Sequence, residues 1–247
     1  MRLFSILLLA GCCGLAMPAQ AADISAYTEE LPPLNYQNGP QVGGFSTELL
    51  QLVMRQAGYS VDIQLQPWAR AYRTVLEGPD RLIYSITRTP EREPLFHWVG
   101  PISPRQIKLY RLSTRSDILI HTEADLMRYK LGAMFESAAA KKLAGLGMQP
   151  ERGLDLSASD EVALKKLMLG RTDLVAMLDW AMAWQLKQQK IDPRRVRPVW
   201  LLDGSSQYWF ALNRDTPLHK VKRLQAALNQ ISSDGRLQQL RQKYLAE

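Results

Sequence analysis

The sequence predicts an α/β protein of two lobes joined by two crossing segments, and three observations predict it. A strand-like start, a helical stripe over Ser46 to Ala57 and an alternating run over Val61 to Leu65 succeed one another. The same alternation of strand and helix returns between Lys130 and Gln189. Between and after these blocks lie two extended stretches, Gln106 to Leu112 and Gln207 to Asn213, which read as a passage out to a second lobe and a return. Strand–helix–strand units favour parallel pairing with a right-handed crossover. At 247 residues the chain is long enough to bury a real core in one large or two small domains.

The first 21 residues read as an export signal. Arg2 supplies the positive start, Leu3 to Met17 is apolar apart from Ser5, and Ala19-Gln20-Ala21 places small residues at a cleavage site. The apolar stretch is shorter than the roughly 20 residues that a membrane-spanning helix needs. Leu9-Ala10-Gly11-Cys12 also resembles a bacterial lipobox, in which case Cys12 would carry a lipid anchor; simple cleavage after Ala21 is the favoured reading. Both cysteines, Cys12 and Cys13, fall in this segment, so the folded part has no disulfide, thiolate metal site or cysteine nucleophile. The formal charge of +7 suits anionic solutes, an anionic membrane surface or nucleic acid. The basic residues are scattered along helices without interleaved aromatics, which argues against nucleic acid.

Asp23 to Tyr27 reads as the first strand, leading to a loop that holds Pro32, Pro33 and Tyr36. Phe45, Leu49 and Val53, flanked by Leu50, Met54 and Ala57, form a buried helical stripe that Gly58 stops. Val61, Ile63 and Leu65 alternate with polar residues up to Pro67, and Trp68 opens a helix that ends near Gly78-Pro79. Trp68 and Arg70 therefore sit where a strand hands over to a helix. Trp68 is either a stacking platform or core, and Arg70 either reaches an anion or lies on the helix surface. Leu82 to Thr87 is the next strand, and Lys130 to Phe135 opens the second lobe's sheet. Ser137 starts a helix as a plain N-cap or as a grip on an anion. Leu164, Leu167 and Met168 form a stripe closed by Gly170, and Asp173 to Leu178 is a strong strand with Asp179 just past its end. Val196 to Leu202 is a further strand, Gly204-Ser205-Ser206 reads as a hinge, and Thr216-Pro217 reads as an N-cap and N1 pair. Val221, Leu224, Leu228 and Ile231 form the buried face of that helix, and Leu237, Leu240 and Tyr244 that of the last one.

The stretch that organises these elements is Ser85 to Pro101, where an apolar strand runs into hydroxyls (Thr87, Thr89) and fixed charge (Arg88, Arg92) in a Pro-punctuated turn. A guanidinium at the lip of a sheet stands where open α/β folds bind ligands, and its fork matches a carboxylate. The same residues also suit a surface turn whose Arg and Glu pair with each other. His97 reads as a packed or capping residue.

Thr-x-Thr-Pro-Glu-Arg followed by Gly100-Pro101 resembles the signature of the family 3 extracellular solute-binding proteins, which include periplasmic amino-acid receptors of ABC transporters. The ordered set Pro32-Pro33, Gly44-Phe45, Pro67-Trp68, Gly170-Arg171-Thr172-Asp173 and Asp234-Gly235 extends the resemblance over nearly the whole mature chain. The resemblance implies a periplasmic-binding-protein-like, type II fold with two hinge crossings. Lobe 1 would comprise residues 22–112 plus 207–247, lobe 2 residues 113–206, and the signal peptide residues 1–21. It also implies a periplasmic monomer, with no cofactor, metal or enzymatic activity, that takes a small polar solute to an ABC importer's permease. A signalling sensor, or a cyclohexadienyl-dehydratase-like enzyme, is the alternative on the same fold. Carried over by position, Arg92 and Thr87 would bind the solute's carboxylate; the helix start at Ser137 makes that residue a candidate second grip. An aromatic wall would come from Tyr27 or Tyr36, if these are not packing residues, and Trp68 and Arg70 complete the candidates. Receptors of this family place an acid after the strand that ends here at Leu178 to hold an α-ammonium, which nominates Asp179. The spacing from Asp173 is one residue longer than the common pattern, so an outward or capping Asp179 would free the ligand from being an α-amino acid.

Overall fold

The computed structural model describes residues 22–245; the proposed signal segment and Cys12 lie outside them. In chain order the strands and helices begin with β1 (Ile24–Thr28), the short hairpin β2 (Tyr36–Asn38) and β3 (Gln41–Gly43), α1 (Phe45–Ala57), β4 (Val61–Leu65) and α2 (Trp68–Leu76). They continue with β5 (Arg81–Thr87), β6 (Phe96–Leu112), β7 (Leu131–Met134), α3 (Ala138–Gly145), β8 (Leu154–Ser157), α4 (Asp160–Met168) and β9 (Leu174–Leu178). The chain closes with α5 (Asp179–Gln188), β10 (Val196–Asn213), α6 (Leu218–Ser233) and α7 (Arg236–Leu245).

One eight-stranded sheet runs β4-β1-β5-β10-β6-β9-β7-β8. β1 pairs parallel with β4 and β5, and β7 pairs parallel with β8 and β9, as strand–helix–strand units require. Between these parallel blocks lie β6 and β10, antiparallel to each other and long enough to serve both. The cores divide on either side of them. α1, α6 and α7 cover one face of the first block through Phe45, Leu49, Val53, Leu224, Leu228 and Ile231, and α2 covers the other through Ala71 and Val75. In the second block, Ala139 and Leu143 of α3 pack with Leu131 and Leu174, while Leu164, Leu167, Met182 and Leu186 pack on Val175 and Met177. The carboxyl halves of β6 and the amino half of β10 belong to this second set, through Ile107, Leu109, Tyr110, Val196 and Leu202. By packing, residues 107–112 thus share the second block's cores.

Two details of the elements differ from the expected ones. Gly204-Ser205-Ser206 does not break the return strand: β10 is continuous, and the segment is a bulge, with register shifts between Leu201 and Asp203 and between Asp203 and Ser206. An extra residue absorbed in a bulge bends a strand without ending its ladder. Thr216 does not cap α6, whose N-cap is Pro217; the Thr216 hydroxyl instead accepts from the Asp80 amide at 3.0 Å and ties the β5 entry to α6.

The two blocks also touch away from the strands. Trp180, in the first turn of α5, is 2% exposed and packs within the first block's core rather than its own. Its ring lies 4.6 Å from that of Phe45, and its Nε1 donates to Ser103 Oγ at 3.1 Å. The turn before α1 is equally specific. Phe45 and Ser46 amides donate to Pro33 and Leu34 carbonyls, and Gly44 has φ 111° with the Leu34 carbonyl oxygen 2.5 Å from where a Cβ would stand. No side chain fits there, so glycine is required to fold the Leu31–Leu34 turn over the start of α1.

Candidate functional site

Thr87 ends β5 and Trp68 opens α2 just after β4, so both stand at the carboxyl edge of the first parallel block, where ligands of such sheets bind. Arg92 arrives from a turn closed by its own amide on the Thr89 carbonyl at 3.0 Å. One guanidinium nitrogen, Nη1, donates to both the Thr87 carbonyl and Oγ1 at 3.0 Å. The guanidinium also lies 5.4 Å from the Trp68 ring centre and 5.7 Å from that of Tyr72. Among the described residues no carboxylate forms an ion pair with it, so Nε and Nη2 keep donors to offer. These four side chains, with Thr89, Glu91 and Leu95, line a groove of about 530 Å³. Hydrogen bonds to its own amide and to Thr89, with Arg92 nearby, hold the Glu91 carboxyl below the usual carboxylate range.

Arg88, four residues earlier, has a different fate. Its Nε and Nη2 each donate to a Glu93 carboxylate oxygen at 2.6 Å, and it sits 4.9 Å from the Trp209 ring and 5.7 Å from that of Trp98. The charge of Arg88 is therefore neutralised within its own turn, as in the reading where the turn's Arg and Glu pair with each other. Arg70 is exposed on α2 and does not line the Arg92 groove. Tyr27 packs with Ala71, Val75 and Ile83, the packing role weighed for it, and Tyr36 lies 4.8 Å from Trp184 of α5. Ser137 caps α3 by accepting from the Ala140 amide at 3.0 Å.

Asp179 and Leu178 separate at the end of β9. Leu178 closes the strand and Asp179 opens α5, and the two enter different pockets. Asp179 accepts from the Trp180 amide at 2.9 Å and faces Lys108, Tyr110 and Leu245 in a hollow of about 200 Å³ away from Arg92. Burial raises its pKa, against the pull of Lys108 and Arg241. Leu178 instead lines a second enclosed pocket of about 200 Å³, bounded by the Leu31–Leu34 turn and Tyr208 on one side and by Met134, Asp160 and Trp184 on the other. The extra residue after Asp173 thus puts a leucine where the resemblance led us to expect an acid. A further hollow of about 790 Å³ lies by the β2–β3 hairpin and β4 and holds neither Arg92 nor Asp160.

Sequence reasoning missed that Tyr72 lines the Arg92 groove and that Asp160 lines the Leu178 pocket. Tyr72 was within reach of it: Trp68 and Tyr72 are four apart on one helix, which puts them on one face, and their rings lie 5.8 Å apart.

A two-block sheet joined by two long crossing strands, with ligand-facing groups at its strand ends, defines a two-lobe solute-binding fold of type II. The family model of bacterial extracellular solute-binding proteins, family 3, matches residues 24–247, and the chain belongs to that family. No curated protein matches it in sequence. Among solved structures it is similar to the second substrate binding domain of a putative amino acid ABC transporter from Streptococcus pneumoniae, at 18% identity, covering 90% of this chain and 99% of that one, with a TM-score of 0.74. It is similar to substrate binding domain 2 of Lactococcus lactis GlnP in its open conformation, at 19% identity, 95% and 99% coverage and a TM-score of 0.73. A histidine kinase sensor domain with similarity to periplasmic binding proteins gives 17% identity, 90% and 95% coverage and a TM-score of 0.63. At these identities the likeness is one of fold.

Proposed function

We propose that the protein captures a small carboxylate-bearing solute between its lobes in the periplasm and hands it to the permease of an ABC importer. Arg92 carries this reading. A guanidinium anchored through one nitrogen, with its remaining donors unpaired over two aromatic rings, is built to receive an anion. Thr87 both fixes its fork and offers a hydroxyl beside it. The lobes would be residues 22–106 with 207–245 and residues 107–206, bending at the bulges of β10. Closure would exclude water from the charge-assisted bonds, each contributing roughly 1.5–3 kcal/mol. Ser137 would approach the same carboxylate from the second lobe.

The test is a thermal-shift screen of amino acids, organic acids, polyamines and opines, followed by calorimetry on any binder, since a bound solute raises apparent stability by mass action. Arg92→Ala should abolish the shift while circular dichroism stays unchanged; a binder indifferent to that change would remove Arg92 from the site. The likeness to a kinase sensor domain supports a second reading, in which the closed form is presented to a signalling protein rather than a permease. Co-purification with a permease or with a sensor would separate them. Incubation with prephenate, watching for an aromatic product, tests the enzymatic alternative.

A further inference from the structure

The pocket between the Leu31–Leu34 turn and α5 is walled by hydrocarbon and aromatic surface, including Leu31, Leu34, Met134, Leu178, Trp184 and Tyr208. Into these walls the fold brings one carboxylate, that of Asp160. Apolar surroundings disfavour an unpaired charge. Yet among the described residues no Lys, Arg or His forms an ion pair with Asp160, and no side-chain hydrogen bond reaches it. Burial pushes its pKa up to about 6, so at neutral pH it is a charge without a counterion.

The position does not demand this acid. Asp160 is the first residue of α4, where a negative side chain favours the helix. Ser159 already caps that end by accepting from the Val162 amide at 3.3 Å, and the neighbouring Glu161 serves the first turn from an exposed position. A helix-start acid works well in solvent, as Glu161 does. Asp160 instead also lines a pocket beneath a turn contributed by the other lobe.

The missing partner therefore has a definite chemistry. It carries positive charge and N–H donors, on a stem that prefers carbon and aromatic walls. A volume of about 200 Å³ holds a side-chain-sized portion of a molecule rather than a whole large ligand. We propose that Asp160 determines specificity, holding an ammonium or guanidinium group of the solute whose carboxylate Arg92 receives. This rests on the binding function proposed above. It places the acid at the start of α4, where the end of β9 has turned its own acid away.

The test uses pairs of compounds that share a carboxylate and stem and differ in the cationic nitrogen: 6-aminohexanoate against hexanoate, 4-guanidinobutyrate against butyrate, and L-phenylalanine against 3-phenylpropionate. Calorimetry on the purified chain should show at least one nitrogen-bearing member binding at least about tenfold tighter than its partner. Asp160→Asn should erase that preference, Asp160→Glu should restore part of it, and Arg92→Ala should weaken both members alike. Equal binding within every pair, a preference that survives Asp160→Asn, or no binding by any nitrogen-bearing member would each overturn the assignment. The first two outcomes with Arg92→Ala still disruptive would leave the carboxylate-binding function standing. A solute bound regardless of Arg92 would instead sink that function.

Discussion

Arg92 and Asp160 are opposite charges treated in opposite ways. Arg92 lies in an open groove, its fork held by Thr87 and its flat face over Trp68 and Tyr72, so its charge is supported and still accessible. Asp160 is half-buried in a smaller, carbon-lined pocket and has no side-chain partner among the described residues. On the proposed function, the first arrangement is stable alone and would gain a ligand, whereas the second carries an uncompensated charge that a ligand would relieve. Preorganised cations and uncompensated anions should therefore answer mutation with opposite effects on stability.

The largest expected effect is on binding. Arg92→Ala should weaken a carboxylate ligand by about 10- to 100-fold, the loss of a charge-assisted bond of roughly 1.5–3 kcal/mol, with little change in melting temperature. A calorimetric affinity within twofold of the parent would break the comparison at its first term. Next comes stability. Burial lifts Asp160 from 3.8 to about 6, so between those values the folded chain holds a proton that the unfolded chain lacks. Stability therefore falls as pH rises through that window, and the cost is fully present above pH 6. Asp160→Asn should accordingly make the ligand-free protein about 1–2 kcal/mol more stable at pH 7.5, after allowing for the lost helix-start interaction, with the gain vanishing below pH 4. Tyr208, the other titratable side chain of that pocket, is pushed up to about 12 by burial and stays neutral throughout. Urea melts at both pH values measure this; a destabilised variant at pH 7.5 would make Asp160 an ordinary structural acid.

Smaller effects sharpen the groove. Thr87→Val removes the hydroxyl that orients Arg92 and should cost about 1 kcal/mol of binding, seen as a roughly fivefold rise in Kd. Arg88→Ala should leave affinity unchanged and alter stability by no more than about 1 kcal/mol, because its exposed pairing with Glu93 is worth little. A binding defect in that variant would show that the two arginines of the motif act together.

Most of the fold was readable because its elements carry their own periodicity. The α1 stripe from Phe45 to Ala57, the alternation of β4 and the α6 face are local patterns, and each burial followed. The short β2–β3 hairpin and four-residue β8 leave too few residues for a period to show. The long strands were only half visible. Gly100-Pro101 and Pro104 interrupt the pattern of β6, and Gly204-Ser205-Ser206 that of β10, although the ladder continues through both. For the site, Thr87 and Arg92 stand in a turn whose residue types announce it. Asp160 does not: Ser-Asp-Glu is an ordinary helix start, and only a turn 126 or more positions away in the chain draws one of its acids into a pocket. Which of Arg88 and Arg92 stays free was likewise hidden, since it depends on Glu93 reaching backward rather than on the order of residues.

The indole of Trp180, seated in the opposite lobe's interior, turns the molecule into its own optical gauge. Rotation that pivots on Phe45 would leave its emission blue in bound and free protein alike; rotation that parts the rings would wet it and shift the emission to longer wavelength. Subtracting the spectrum of a Trp180→Phe variant isolates this signal from the other five tryptophans. The colour of one residue thus reports where the axis of closure lies, before any ligand has been named.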